Sequence, residues 1–95
     1  NGIEPILCSV LPAERYLWKP GKKPDEKIPL LNAMIQKYTR EKDLIYLDYF
    51  SALANDKMGL DKELAEDGVH PTRKGYLIMG PLAEAAILQA LERRP

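Results

Sequence analysis

The chain has 95 residues, 45% of them hydrophobic and 29% charged, a composition that fits one globular domain with a modest core and excludes a disordered or fibrous chain. Fourteen basic residues balance fourteen acidic ones, so no net field draws the chain to nucleic acid or to an anionic membrane surface, and neither partner is expected. The apolar stretches are much shorter than the roughly 20 residues of a membrane-spanning helix, so we expect no membrane segment.

The first predicted element is a strand over residues 6–11, a continuous apolar run that is typical of a strand buried on both faces of a parallel sheet. Cys8, the only cysteine of the chain, lies in this run and is expected to be buried as a small hydrophobe. Asn1 precedes the strand without a Met or a signal-peptide pattern, which predicts that the natural N-terminus is missing. The cellular compartment therefore stays open, a secreted or periplasmic one included.

Residues 12–28 form a long predicted loop that is rich in proline and lysine, and loops of this length are often functional. Arg15, Tyr16 and Trp18 follow the carboxyl end of the first strand, where aromatic rings offer a stacking surface for a bound ligand. These three side chains are candidates for substrate binding in a pocket; the simpler alternative is that they only pack the loop. A solvated surface is the expectation for the basic cluster of the same loop, Lys19, Lys22 and Lys23.

A helix is predicted over residues 27–42, and Pro29 fits only in its first turn. The apolar positions recur at helical spacing: Leu31, Met34, Ile35 and Tyr38. A second apolar run over residues 44–47 predicts another buried parallel strand, which ends at Asp48, where a carboxylate is expected to cap the following loop. Strand, helix and strand together make a βαβ unit.

Residues 49–71 are predicted to be irregular, with a turn of helix near residues 61–66, and Thr72 is the predicted N-cap of a C-terminal helix. The apolar stripe of that helix is predicted to consist of Tyr76, Met79, Ala83, Ala86, Ile87 and Ala90. Two parallel strands leave open edges that need neighbours. Residues 1–95 are therefore predicted to be a single partial domain, the last portion of a larger doubly wound α/β sheet.

The only histidine, His70, lies between the second strand and the last helix, at the edge where reacting groups gather in open α/β sheets. Asp67 precedes it by three residues, and Gly68 permits a tight turn that brings the carboxylate near the imidazole. A histidine base needs such a partner, since a carboxylate at Nδ1 fixes the tautomer and stabilises the imidazolium. Judged by spacing alone, the alternative to a catalytic pair is that His70 only makes a local hydrogen bond or caps the following helix.

The wider sequence around Asp67 and His70 favours the catalytic interpretation. Asp-Gly-Val-His-Pro-Thr over residues 67–72, followed by Lys-Gly-Tyr over residues 74–76 at the start of the last helix, resembles the final conserved block of the SGNH or GDSL-type hydrolases. The strand entry at residues 1–6, the Leu31-Asn32 helix and the strand over residues 44–48 are also similar to the C-terminal half of that family.

The resemblance implies the C-terminal portion of a flavodoxin-like three-layer α/β/α fold and a serine esterase or acylhydrolase that works through an acyl-enzyme and needs no cofactor. His70 takes the role of the base and Asp67 that of the acid. The family's serine, oxyanion glycine and oxyanion asparagine have no match, since neither Ser9 nor Ser51 has the right context. We expect an upstream half of the same domain to supply them, and we expect this chain to be inactive alone. The expected substrate is a small acyl ester or an acetylated carbohydrate.

Three other functions compete with this one. A catalytically inactive relative would keep the fold and serve as a binding or interaction module. A nucleotide-binding or cofactor-binding flavodoxin-like domain needs a phosphate-cradling glycine loop, yet Pro12-Ala13-Glu14 follows the first strand. Metal-dependent hydrolysis is disfavoured because a single histidine offers too few ligands, so no metal site is expected.

Overall fold

The computed structural model describes residues 2–93 and has α/β architecture. Its elements are β1 (Ile6–Cys8), α1 (Pro24–Glu41), β2 (Ile45–Leu47), α2 (Tyr49–Leu53) and α3 (Arg73–Arg93). This order confirms the predicted strand, helix, strand and C-terminal helix. The short helix α2 is additional, since the sequence predicts an irregular segment there. Among residues 2–93, no helix is both long enough and apolar enough to cross a membrane.

The two strands are parallel, with Ile6 opposite Ile45 and Cys8 opposite Leu47, so their carboxyl ends lie at the same edge. β1 ends at Cys8 and not at Leu11 as predicted. The partner strand β2 itself ends at Leu47, and α2 begins at Tyr49, so residues 9–11 have no strand residues to pair with. Beyond β1, the side chain of Asn32 on α1 accepts a hydrogen bond from the Val10 N–H at 2.7 Å and donates one to the Val10 carbonyl at 3.0 Å, which ties this segment to the helix.

Cys8 is exposed, so the prediction of a buried cysteine is wrong. Among the described residues, β1 has a neighbour on one side only, because the sheet consists of β1 and β2. Ser9, the next residue, is buried, and its hydroxyl accepts a hydrogen bond from the Phe50 N–H at 2.9 Å. That contact fixes the start of α2 against the end of β1.

α1 begins at Pro24, where the missing proline N–H costs no helical hydrogen bond. Pro29 consequently lies in the second turn and not in the first as predicted. The predicted apolar stripe of α1 is also wrong, because Leu31, Met34 and Tyr38 are exposed. The buried face is rotated and consists of Pro24, Ile28, Asn32 and Thr39. Since Asn32 must reach Val10, it sets which face of the helix meets the sheet.

α3 packs along β2 with its small residues. The main core contains Ile45, Leu47, Ala86 and Ala90, with Leu82 and Ala83 packed against it. Alanine side chains let the helix approach the strand closely, which is consistent with the predicted roles of Ala83, Ala86 and Ala90. Tyr76 and Ile87, however, are more than half exposed, so their predicted place in the core is wrong.

A second core holds the segment between α2 and α3. It contains Leu53, Leu60 and Ala65, and Leu11, Leu64 and Met79 pack against it. The Asp61 carbonyl accepts hydrogen bonds from the N–H groups of Leu64 and Ala65, which confirms the predicted turn of helix near residues 61–66. Although irregular, this segment is therefore fixed on apolar side chains, and it leads directly to Asp67.

Candidate active site

Asp67 and His70 lie in a tight turn at residues 67–70 that the backbone of the turn itself stabilises. Gly68 has φ +79°, a conformation that a residue with a Cβ adopts only with strain. Its N–H donates to the Ala65 carbonyl at 3.0 Å. One carboxylate oxygen of Asp67, Oδ1, accepts hydrogen bonds from the N–H groups of Val69 at 2.9 Å and His70 at 2.8 Å. The turn thus holds the carboxylate in one orientation.

The second carboxylate oxygen of Asp67 contacts the imidazole. Asp67 Oδ2 lies 2.6 Å from His70 Nδ1. An ionised carboxylate can only accept hydrogen bonds, so Nδ1 carries the proton and Nε2 is left as the free ring nitrogen. The imidazole side chain is 77% exposed and opens onto a shallow cleft that is lined by Glu66, Asp67, Pro71 and Thr72. This is the geometry that a histidine base requires.

Hydrogen bonds also keep Asp67 ionised. The backbone N–H of His70 makes the largest contribution in lowering the pKa of the Asp67 carboxyl, followed by the His70 imidazole and the backbone N–H of Val69. Together they outweigh the opposite effect of desolvation and hold the pKa well below its usual range. The Asp67 carboxyl is therefore ionised at neutral pH.

The segment that follows His70 is held by contacts with residues 63–64. The Thr72 N–H donates to the Leu64 carbonyl at 2.7 Å, and the Thr72 hydroxyl donates to the Glu63 carbonyl at 2.7 Å. The same hydroxyl lies 3.4 Å from the Gly75 N–H, as expected for the N-cap of α3. The start of the helix and the end of the turn are thus joined at Thr72.

Gly75 is a determinant of the site that the sequence analysis missed. A Cβ at this position would lie 2.9 Å from the Leu64 carbonyl oxygen and 3.2 Å from the Pro71 Cβ. Only a glycine lets the first turn of α3 lie this close to the segment that carries His70. The Lys-Gly-Tyr string over residues 74–76 contains the signal, but the sequence alone does not show what the glycine contacts.

The three predicted substrate residues do not lie together. Arg15 lines a cavity of about 170 Å³ beside Asp67 and Gly68, with Leu17 and Leu60 in its wall. Tyr16 and Trp18 instead line a separate cavity at the start of α1. The structure therefore brings Arg15 to the Asp67–His70 turn and places the two aromatic residues on the other side of the loop.

Neither serine of the chain lines the cleft around His70. The Ser9 hydroxyl binds the Phe50 N–H in a buried position. The Ser51 hydroxyl donates to Asp48 Oδ2 at 2.5 Å, and Asp48 Oδ1 accepts from the Ser51 N–H at 3.0 Å. Asp48 therefore has the expected capping role, although it caps the helix α2 and not a loop, and both serines have structural contacts of their own.

The model of the GDSL-like Lipase/Acylhydrolase family matches residues 2–78. A GDSL-like lipase from Bacteroides thetaiotaomicron is 37% identical with a TM-score of 0.85, and the alignment covers 93% of this chain and 44% of that one. A protein from Bacteroides fragilis that is assigned as an acylhydrolase is 36% identical with a TM-score of 0.85, and the alignment covers 94% of this chain and 44% of that one. No curated protein matched. The chain thus spans less than half the length of these two structures.

Proposed function

Because the chain belongs to the GDSL-like lipase/acylhydrolase family, we propose that it provides the base and the acid of a serine ester hydrolase, His70 and Asp67. The observation that supports this assignment best is the 2.6 Å contact between Asp67 Oδ2 and His70 Nδ1. It leaves Nε2 of an exposed imidazole free for a nucleophile. A turn that only capped the following helix would not need the imidazole in this contact, since Thr72 already caps α3.

In the proposed reaction, His70 Nε2 takes the proton of a serine hydroxyl while the serine oxygen attacks the acyl carbonyl. The imidazolium that forms is stabilised by the charged Asp67, which stays ionised. His70 then gives the proton to the leaving alcohol, and an acyl-enzyme remains. Water, activated by the same imidazole, attacks the acyl-enzyme, so that the acid is released and the serine recovers its proton.

The nucleophile is proposed to come from an upstream half of the same domain, together with the glycine and asparagine that bind the oxyanion. This proposal is supported by the position of Ser9 and Ser51, whose hydroxyls are engaged away from His70. It also agrees with a chain that covers 44% of the length of its structural relatives. Residues 1–95 are accordingly a partial domain in this proposal, and the chain alone does not hydrolyse esters.

The proposed substrates are small acyl esters or acetylated carbohydrates. Arg15 supports this proposal because it lines the cavity beside Asp67, close to where a substrate must bind if His70 is the base. A guanidinium at that position offers several hydrogen-bond donors to the oxygens of an ester or a sugar. Tyr16 and Trp18 can then contact only a more distant part of the substrate, since they line the other cavity.

The test is hydrolysis of a chromogenic acetate ester by the complete protein and its His70→Ala variant. We expect kcat/KM to fall by about 10⁴- to 10⁶-fold, the range for loss of a triad histidine. Gln89→Ala, an exposed change on α3, is the control and should keep wild-type activity. Wild-type activity in the His70→Ala protein would contradict the assignment. A folded complete protein without esterase activity would favour the inactive binding module.

A further inference from the structure

The loop between β1 and α1, residues 9–23, separates two cavities, and the side chains of residues 15–18 alternate between them. Arg15 and Leu17 line the cavity beside Asp67, whereas Tyr16 and Trp18 line the second one. The second cavity has a volume of about 520 Å³, within the roughly 300–1,000 Å³ of small-ligand sites. We call it the aromatic–lysine cavity; it is lined by Tyr16, Trp18, Lys19, Lys22, Lys27 and Ile28.

The aromatic rings form a flat apolar surface in this cavity. The ring centroids of Tyr16 and Trp18 are 5.2 Å apart and their planes differ by 23°. Trp18 remains 57% exposed, although burial of so large an apolar side chain would be favourable. Stacked rings with an open face suit a flat, partly apolar partner such as the C–H face of a sugar ring.

The lysines add positive charge at the same place. Among residues 2–93, Lys19, Lys22 and Lys27 make no ion pair, whereas Lys37 and Lys74 lie near Glu41 and Glu63. Three ammonium groups around one cavity, without a carboxylate in its lining, favour a ligand that carries negative charge. Lys19 and Lys22, expected from the sequence to form a solvated surface, thus line one cavity together with Lys27.

We propose that the aromatic–lysine cavity binds an acidic sugar, a ring that carries a carboxylate or a sulfate and stacks on the exposed face of the Tyr16–Trp18 pair. The lysines bind the anionic group. As a subsite of the enzyme, the cavity holds a sugar next to the one that loses its acyl group, because the reacting ester must lie on the Asp67 side of the loop. This last step rests on the proposed function; the binding of an acidic sugar does not.

The test is calorimetric titration of the complete protein with three ester-free probes: trigalacturonate, galactose 6-sulfate and the neutral galactotriose. Trigalacturonate carries carboxylates and galactose 6-sulfate carries a sulfate, so these two probes show which anionic group the cavity binds. We expect at least one acidic probe to bind about tenfold more tightly than galactotriose at low salt, and this preference to shrink as salt is added. Equal binding of all three probes, or binding of none, would overturn the proposal.

Two variants test whether the acidic probe binds in the aromatic–lysine cavity. The triple variant K19Q/K22Q/K27Q should weaken binding of the acidic probe by about tenfold or more, the combined effect of three exposed charges. Trp18→Ala should weaken it by about three- to tenfold through loss of stacking. The control K37Q/K42Q/K57Q makes the same change of charge elsewhere and should bind as the wild type does. If the control loses as much affinity as K19Q/K22Q/K27Q, net charge is the cause and the cavity is not the site.

The same titration with the His70→Ala protein keeps this proposal separate from the proposed function. The probes contain no ester, so their binding does not need the base. Unchanged binding by a protein without esterase activity is the expected result. Loss of binding in His70→Ala alone would place the sugar at the imidazole and contradict the site proposed here.

Discussion

The Asp67–His70 turn and the loop between β1 and α1 both form the candidate active site, but different kinds of contact hold them. In the turn, the hydrogen bonds of Asp67 reach only as far as Val69 and His70. The loop depends on distant partners instead. Asn32 binds Val10 from α1, and the backbone of Gly59 lies so close to Glu14 that a Cβ would be 2.7 Å from the Glu14 Cβ.

The short-range contacts of the turn and the long-range contacts of the loop should affect function differently. Short-range hydrogen bonds orient Asp67 and His70 toward each other within the turn, while Thr72 and Gly75 position the turn as a whole. The loop that carries Arg15, Tyr16 and Trp18 is held by α1 and by the segment around Gly59, so we expect substitutions at these contacts to alter substrate binding more than the chemical step. We therefore expect substitutions in the turn to lower kcat strongly, and substitutions at the contacts of the loop to raise KM more than they lower kcat.

After His70→Ala, the largest effect on activity is expected from Asp67→Asn. The amide keeps the shape of the side chain but loses the charge that stabilises the imidazolium and fixes the tautomer. We expect kcat of the complete protein to fall by about 10³- to 10⁴-fold with little change in KM, measured with the chromogenic acetate ester. Activity within a factor of two of the wild type would show that the carboxylate has no part in the reaction.

The same substitution gives a pH-dependent change in stability. The folded-state pKa of Asp67 is lowered, so the ionised carboxylate favours the folded state above its unfolded pKa of about 3.9. This contribution is lost as the pH falls from there through the lower folded-state pKa. In urea unfolding of the complete protein, the wild type should therefore exceed Asp67→Asn in stability at pH 6 and lose this advantage progressively below pH 4. A difference that is constant from pH 6 to pH 2 would contradict the lowered pKa.

A smaller decrease in kcat is expected from Gly75→Ala. The new Cβ would lie 2.9 Å from the Leu64 carbonyl oxygen, so the start of α3 must shift, and His70 with it. We expect kcat to fall by about 10- to 100-fold, because small displacements of catalytic groups have effects of this size. Gly80→Ala is a matched control in the same helix, since its Cβ meets nothing within 4 Å. Equal kcat values for the two variants would show that the close contact at Gly75 does not position His70.

The smallest effect on the chemistry is expected from Asn32→Ala. It removes both hydrogen bonds to Val10 and should lower the free energy of unfolding by about 2–4 kcal/mol. KM should rise more than kcat falls, because the loop that carries Arg15 loosens while the Asp67–His70 turn keeps its own contacts. Gln36→Ala, an exposed change one turn later on α1, is the control for stability and should stay within about 0.5 kcal/mol of the wild type. A kcat effect as large as that of Asp67→Asn would contradict the separation of the two regions.

The contrast between short-range and long-range contacts also explains which features the sequence predicts well. Asp67, Gly68 and His70 interact within four positions, so their spacing alone suggests the contact that the structure has. The apolar runs around Ile6 and Ile45 likewise predict a parallel pair of strands, because an unbroken apolar run is typical of buried parallel strands.

Long-range contacts limit what spacing can predict. The buried face of α1 is set by Asn32, a polar residue that binds Val10, so the apolar positions Leu31 and Met34 indicated the wrong face. The separation of Arg15 from Tyr16 and Trp18 follows from the way the loop passes between two cavities, which neighbouring residues in a sequence do not reveal.

The central claim, that His70 and Asp67 serve a nucleophile outside residues 1–95, is tested most directly by labelling the complete protein with a serine-reactive fluorophosphonate and mapping the labelled peptide. We predict a label on a serine upstream of residue 1, formed at the wild-type rate by Gln89→Ala and far more slowly by His70→Ala. A label on Ser9 or Ser51, or equal labelling of the His70→Ala protein, would contradict this division of the active site.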